Sequence, residues 1–474
     1  MILTPLLDYQ QACVTEALKM KRLILALDTG SGKTLAALAI IEELRNRYGV
    51  NDVVVSCPKS GLPTWRSEIP KHTDFSYSIG EYNPRVTIKV LQETKLYKVL
   101  PELRAQPSCL IVDESHFMCS PTSLKAAQFR GGMVKKGNQE LVLNNTMGTF
   151  NYNYGMTATP MMNHIEDLYY QVESYFPGYF GPLPHFVNRY TEGEVKRVGV
   201  RGGGSRMIRE VTGFCNLGEL NMRLRPVMFR HAMQYPVKFF FKFVDPPLNE
   251  WSLYLRTGQG ILRDHERNFV GRLPDLQRVA NGSSDEEGNY RRDPKLSCKE
   301  QLLTDGLNYI VDHHHGCVVF TSSLDTHKRF RDRIATKVRA EKCWFMTGAT
   351  DDHQRDHIAR NFGPNDVLFA TGVGGVSLNL QAVNNVIFYD IPWSVGKVMQ
   401  YLGRVTRTDS TFDSMNVIFL GVQRTIDEYK LALVSSNLHV LRSILSGFGF
   451  VEAYFTMVKK AAIIQMRRSL LWGK

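Results

Sequence analysis

The sequence predicts an α/β protein built as two parallel-sheet lobes in tandem, and two patterns carry that prediction. Short apolar runs alternate with helical patterns along most of the chain, which is how parallel α/β domains read. The runs also fall into two comparable blocks. In the first block, strand candidates cover 23–27, 53–57, 87–91, 109–112 and 154–157. In the second they cover 317–320, 342–346, 367–370, 385–389 and 415–420. Two such blocks imply two lobes with a cleft between them, where a ligand can be held across two domains. The boundary falls between His231 and Pro247, around the pair Pro246-Pro247. It assigns residues 1–235 and 236–442 to the lobes and 443–474 to a basic tail.

Hydrophobic residues make up 43% of the 474 residues and charged residues 22%, ordinary for a globular enzyme with buried cores. The formal charge of +12 and pI of about 9.2 favour a polyanionic partner, because Lys and Arg at phosphates release condensed counterions. No cysteines have the Cys-x-x-Cys spacing of a zinc ribbon or redox motif, and Cys57, Cys109 and Cys317 sit inside apolar runs. That usage suits a reducing, intracellular compartment. No basic segment followed by a long apolar stretch opens the chain, and no apolar run approaches the ~20 residues that span a bilayer. A cytoplasmic protein without membrane contact is expected.

Three segments interrupt the alternation. Residues 131–154 are polar and rich in glycine and asparagine, which reads as a loop or hairpin. Residues 193–209 carry Lys196, Arg197, Arg201, Arg206 and Arg209 among glycines, a basic and flexible insertion that reads either as a hairpin or as a solvated loop. Residues 281–293 read as an exposed loop, and His313-His314-His315 as a loop rather than a metal site.

The first strand candidate leads into Asp28-Thr29-Gly30-Ser31-Gly32-Lys33-Thr34 and then an Ala/Leu-rich helix. Glycines let backbone N–H groups turn around phosphate oxygens, and the helix N-terminus adds its positive dipole end. Lys33 can reach the β- and γ-phosphates, and the Thr34 hydroxyl can ligate magnesium. Thr29, Gly30, Ser31 and Gly32 complete the cradle, although Leu27 stands where the general pattern wants glycine. Upstream, the Gln10 amide can pair with both edges of an adenine. A second apolar strand ends in Asp113-Glu114-Ser115-His116. Acids delivered there stand at the ligand edge of a parallel sheet: Asp113 to hold magnesium, Glu114 to polarise an attacking water.

Further marks follow in order. Pro58, Trp65 and Glu68 come after the second strand candidate, and Ser123 after the acidic motif. Thr157-Ala158-Thr159-Pro160 precedes Asn163 and Leu168, and an Arg223 to Arg230 run closes the first block. In the second block Gly374-Gly375-Val376-Ser377-Leu378-Asn379-Leu380 precedes Asp390 and Trp393. Gln400-Tyr401-Leu402-Gly403-Arg404-Val405-Thr406-Arg407 has the form Q-x-x-G-R-x-x-R. Taken together, over roughly residues 6–430, the set resembles superfamily 2 helicases, and within them the Swi/Snf type of ATPase. The chain departs from that pattern at Ser120, at Leu27 and at Thr408-Asp409-Ser410, where the family often has Gly-Gln.

The resemblance implies two tandem RecA-like lobes with an inter-lobe ATP cleft, and ATP with Mg2+ as cofactors. It implies that Gly375 and Gln400 join the nucleotide site, and that Arg404 and Arg407 reach the γ-phosphate from the second lobe. Positions that hold a nucleic-acid strand are Lys59, Ser60, Thr321, Ser322, Thr371 and Ser377, with Arg201 and Arg206 in the basic insertion as further candidates. The expected protein is a monomeric motor on duplex or branched DNA, acting in branch migration or fork remodelling beside replication or recombination proteins. An RNA helicase and the motor subunit of a larger DNA-processing complex are the alternatives. With no chromatin-reading or zinc accessory segment, such a minimal motor points to a prokaryotic or viral source, such as a bacteriophage. The basic amphipathic tail, with Lys459, Lys460, Arg467, Arg468 and Trp472, is expected to cap the second lobe.

Overall fold

The computed structural model describes the chain outside residues 29, 99–107, 120–122, 137–138, 144, 163, 201–203, 232–236, 286–288, 373–382, 406–411, 413, 433 and 435–474. The expected tail cap therefore lies outside the described residues. Two compact units have their main bodies in Met1–Met233 and Gln234–His439.

The first unit begins with α1 (Asp8–Lys19), β1 (Arg22–Leu27), α2 (Lys33–Tyr48), β2 (Asp52–Cys57), α3 (Leu62–His72), β3 (Tyr77–Ile79), β4 (Ile88–Gln92) and β5 (Ser108–Val112). It continues through α4 (Leu124–Arg130), β6 (Gly132–Lys136), β7 (Gln139–Leu143), β8 (Tyr152–Thr157) and α5 (Glu166–Tyr175). It closes with α6 (Leu183–Tyr190), β9 (Thr191–Val200), β10 (Gly204–Phe214), α7 (Leu217–Leu224) and β11 (Met228–His231). Seven strands pair in the order β11-β1-β8-β5-β2-β4-β3, every pair parallel. A parallel sheet is covered on both faces, so its strands must be apolar throughout rather than alternating. β5 is buried along its whole length, and β1 and β2 are buried at all but their first residue. Leu25, Val53, Val55 and Ile111 pack there with Leu38 and Ile41 of α2 and Trp65 of α3. Gly49 stops α2 in the left-handed region (φ 67°), its N–H returning to the Arg45 carbonyl.

The five strands expected in this block are β1, β2, β4, β5 and β8. β3 and β11, at the two edges, were not expected; they are three and four residues long and only partly buried, so they lack an apolar run. Residues 131–154 do contain a hairpin, β6 paired with β7. Of the two readings of 193–209 the hairpin is the one observed: β9 and β10 form an antiparallel ribbon. The ladder satisfies the backbone N–H and C=O groups, a gain that glycine-rich composition conceals.

The second unit contains β12 (Val237–Val244), α8 (Leu248–His265), α9 (Leu273–Ala280), α10 (Cys298–Asp312), β13 (Gly316–Thr321), α11 (Leu324–Arg329) and β14 (Cys343–Met346). α12 (Asp352–Asn361), β15 (Val367–Thr371), β16 (Val383–Phe388), α13 (Val395–Val405) and β17 (Met415–Val422) follow. Its six strands pair in the order β12-β17-β16-β13-β15-β14, again all parallel. Only the edge strand β12 was not expected; it falls inside the boundary stretch.

The exposed-loop reading of 281–293 fails at its start, because Asn281, Ser283 and Ser284 are buried. Asn281 is a hub: its Oδ1 accepts from Gln277 Nε2 (3.0 Å) and Lys299 Nζ (3.0 Å), and its Nδ2 donates to Thr326 Oγ1 (3.2 Å). Lys299 also pairs with Asp427 at 2.7 Å, both side chains fully buried, and Gln277 donates to Asp427 at 2.8 Å. Removing one member of a buried pair leaves an uncompensated charge, at a cost of about 3–5 kcal/mol. Asp427→Ala should therefore lower stability in urea denaturation by that order, while the double variant Lys299→Met with Asp427→Leu should recover most of the loss.

Candidate active site

Because its strands run parallel, the first sheet brings the ends of β1, β2, β5, β8 and β11 to one edge. The turn after β1 is glycine-dependent: Gly30 and Gly32 have φ of 81° and 69°, and Gly32 stands immediately before α2. A Cβ at Gly32 would come within 2.5 Å of Gln10 Nε2. The Ser31 carbonyl accepts from Tyr9 Oη (2.6 Å) and Gln10 Nε2 (3.1 Å), while Ser31 Oγ donates to the Asp28 carbonyl (2.6 Å). Gln10 Oε1 accepts from Leu7 N at 2.9 Å, so one end of this buried amide braces the turn and the other the start of α1.

Lys33 opens α2, and its Nζ donates to the carbonyls of Leu27 and Asp28, each at 3.1 Å. Thr34 follows in the same first turn. Asp28 pairs with Arg230 of β11 at 2.6 Å, and the Arg230 guanidinium also donates to the Ala26 carbonyl. The Tyr9 and His231 rings stack in parallel at 3.8 Å. Burial holds the His231 imidazole below its ordinary pKa, against the pull of Asp28.

Asp113 follows the buried end of β5. Trp65 Nε1 donates to its Oδ2 at 3.0 Å, and the Glu114 N–H donates to its Oδ1 at 3.0 Å. Burial first, then the adjacent Glu114 charge, push the Asp113 carboxyl up to about 6; the Trp65 N–H, Lys33 and the Glu114 N–H oppose that rise. Glu114 sits at φ 53°, which turns its side chain toward His116, and its Oε2 lies 3.2 Å from His116 Nδ1. Thr157 Oγ1, at the end of β8, is 3.5 Å from the same nitrogen and accepts from Thr159 N. The two motifs are thus in contact through His116. Ser123 caps α4 by accepting from Ala126 N, and Gln171 Nε2 donates to Ser115 Oγ at 2.9 Å.

Residue type and spacing assign no role to Tyr9, Arg230 or His116, and mark Trp65 only through the family resemblance. The signals present are an aromatic beside Gln10, a basic residue ending an apolar run, and an indole close to the sheet edge.

In the second unit Thr321 and Thr371 are register partners at the ends of β13 and β15. Both are buried, and Thr321 Oγ1 accepts from Ser323 N. Ser322 is exposed, and its N–H and hydroxyl both donate to Asp390 Oδ2. Lys59 and Ser60 are exposed in the helical turn after β2. Gln400 and the backbone of Arg404 lie on α13, and Arg206 on β10. Thr29, Arg201, Gly375, Ser377 and Arg407 lie outside the described residues. Among the described residues no helix is long and apolar enough to cross a membrane, and no cluster of three His, Cys, Asp or Glu side chains could hold a metal.

Comparison with known proteins places this geometry. Residues 3–162 match the type III restriction enzyme res subunit family, and residues 298–409 match the helicase conserved C-terminal domain. The chain is 23% identical over 486 residues to the mouse DNA annealing helicase and endonuclease ZRANB3, covering 94% of this chain and 41% of that protein. It is 23% identical to the uncharacterized ATP-dependent helicase YqhH of Bacillus subtilis (strain 168), covering 89% of this chain and 76% of that one. A solved Sulfolobus solfataricus SWI2/SNF2 ATPase core in complex with dsDNA aligns with a TM-score of 0.41 at 17% identity, covering 98% of this chain and 95% of that one. The chain thus spans about 41% of the length of its mouse relative.

The two family matches fall on the two parallel α/β units in chain order, and the second is a helicase domain. The chain is similar to superfamily 2 helicases and, within them, to the Swi/Snf type, a family that uses ATP.

The Trp65 N–H stabilises the ionised form of Asp113, so removing it should raise the Asp113 pKa further. In Trp65→Phe the acid limb of the kcat/KM profile for ATP hydrolysis should move to higher pH than in the wild type. An unshifted limb would mean that Asp113 ionisation does not govern it.

Proposed function

We propose that this chain is a DNA-dependent ATPase that translocates on duplex or branched DNA, with fork remodelling or branch migration as its output. The observation that carries this reading is the meeting of Lys33, Asp113, Glu114 and Thr157 at one edge of one sheet, through contacts that link one motif to the next. In this reading Lys33 leaves the Leu27 and Asp28 carbonyls for the β- and γ-phosphates, and Gly30, Ser31 and Gly32 turn their N–H groups to the phosphate oxygens. Glu114 takes the attacking water's proton, and His116 passes the state of that carboxylate to Thr157. Arg404 and Arg407 of the second unit neutralise charge on the transferred phosphoryl group.

The donor set fits a magnesium ion: the Asp113 carboxylate and the Thr34 hydroxyl are hard oxygens, and a carboxylate raised to about 6 by burial gains from a cation. Bound there, magnesium would neutralise charge on the phosphate oxygens. Gln10 serves the nucleotide chiefly by holding the Ser31 carbonyl, with Tyr9 and His231 as the aromatic surface beside it. Lys59, Ser60 and Ser322 are the exposed candidates for DNA phosphates. DNA is favoured over RNA by the relatives' activity, since ZRANB3 is named as a DNA annealing helicase.

Hydrolysis measured with and without single-stranded, duplex, forked and four-way DNA tests this directly. Duplex or branched DNA should raise the rate severalfold. Lys33→Ala should lower kcat by about 10²–10³ and Arg404→Ala by about 10³ or more. Equal hydrolysis with and without DNA would end the motor reading, and stronger stimulation by RNA would select an RNA helicase.

A further inference from the structure

The β9–β10 ribbon is a sheet of its own, joined to neither large sheet. Its ten- and eleven-residue arms would extend roughly 33 Å at about 3.3 Å per residue. Charge is segregated along it. The register sets Glu194 opposite Glu210 and Glu192 opposite Gly213, so all the acids lie near the root. Beyond that rung, from 195 to 209, the sequence holds Lys196, Arg197, Arg201, Arg206 and Arg209 and no acid. The same stretch carries Val195, Val198, Val200, Met207 and Ile208, with glycines at 199 and 204.

The root is rigid. α6 ends at Tyr190 and β9 begins at Thr191, with no loop between them. Across the root Cys215 N donates to the Tyr190 carbonyl (3.1 Å), and Asn216 Nδ2 donates to the Arg189 carbonyl (2.8 Å). Arg189 makes a two-pronged pair with Glu219 of α7, both bonds 2.7 Å, and Tyr190 Oη donates to the same carboxylate. A ribbon fastened this way transmits force to the unit that carries Lys33 and Asp113.

We propose that this ribbon is a nucleic-acid arm that engages branched DNA at the branch point, a substrate grip distinct from the sheet edges; the proposal rests on the DNA-motor reading above. Its charge answers a phosphate chain, and a two-stranded ribbon fits a major groove about 12 Å wide. Apolar residues among the cations of the arm suit insertion beside unstacked bases. A branch point supplies such bases without the cost of opening a duplex, so it is favoured over uninterrupted duplex.

The test compares the full chain with a variant carrying Lys196→Ala, Arg197→Ala, Arg206→Ala and Arg209→Ala. Affinity for a four-way junction and for a duplex of equal length is read by fluorescence anisotropy across a salt series, and folding by thermal unfolding. The variant should bind the junction about tenfold or more weakly while losing much less on the duplex. Its junction salt slope should flatten by about 0.9 for each phosphate that the arm no longer neutralises. Unchanged junction affinity and slope would overturn the proposal, and so would equal losses on both substrates. A second variant with residues 196–208 replaced by a two-residue turn should lose the same junction preference; retained preference there also overturns it. Wild-type hydrolysis that ignores every DNA would sink the motor reading alone, since the binding comparison judges the ribbon independently.

Discussion

Parallel pairing of β1 with β8 and β11, and of β5 with β8 and β2, decides where every reactive group of the first unit can stand. Each strand arrives from the same side, so each turn that follows opens at the same edge. Lys33, Asp113 and Thr157 are far apart in sequence and become neighbours only through that shared direction. β11 shows the constraint most sharply. It joins the sheet some two hundred residues after β1, in a register that sets Leu27 opposite His231. That register delivers Arg230 to Asp28 and His231 to Tyr9, closing the phosphate turn from behind.

The edge carries costs that the sheet must bear. An Asp113 carboxyl raised to about 6 means that, between the ordinary carboxylate range and that value, the folded chain binds a proton that the unfolded chain has released. Stability therefore falls as pH rises through that window. Glu114 adds backbone strain at φ 53°, a conformation that costs a non-glycine residue on the order of 1 kcal/mol or more. Both costs fall on adjacent residues that face the proposed reaction. A carboxylate held in excess energy binds a cation more tightly than a relaxed one, and a strained Glu114 reaches His116 without losing sight of the edge.

Much of this was legible in the sequence because buried parallel strands must be continuous apolar runs, and ten such runs stand out. What escaped were elements whose stability is relational. β3, β11 and β12 are edge strands, recognisable only from the neighbours they pair with. The ribbon could be read only as one of two alternatives, because its order comes from cross-strand bonds rather than propensity. Motif residues could be read from type and spacing, but contacts that cross the sequence could not. Trp65 reaches Asp113 across 48 positions, and Asn281 is buried because Lys299 and Thr326 come to it.

The two units solve the same packing problem with different chemistry. In the first, helices cover the sheet largely through apolar contacts such as those around Trp65 and Ile41. In the second, the helices that precede the first interior strand are tied down by buried charge. Asp427, just beyond β17, takes bonds from Lys299 on α10 and Gln277 on α9, and Arg329 on α11 holds Glu300 on α10 through two 2.8 Å bonds. Such pairs contribute little net stability against a well-packed apolar alternative, but they allow only one register. Glu300 shows how far one group is committed, since it also caps its own helix through Ser297. Apolar layers can slide by small steps at little cost, whereas a fork of directional bonds either holds or breaks. α9, α10 and α11 are therefore expected to move with the second sheet as one body.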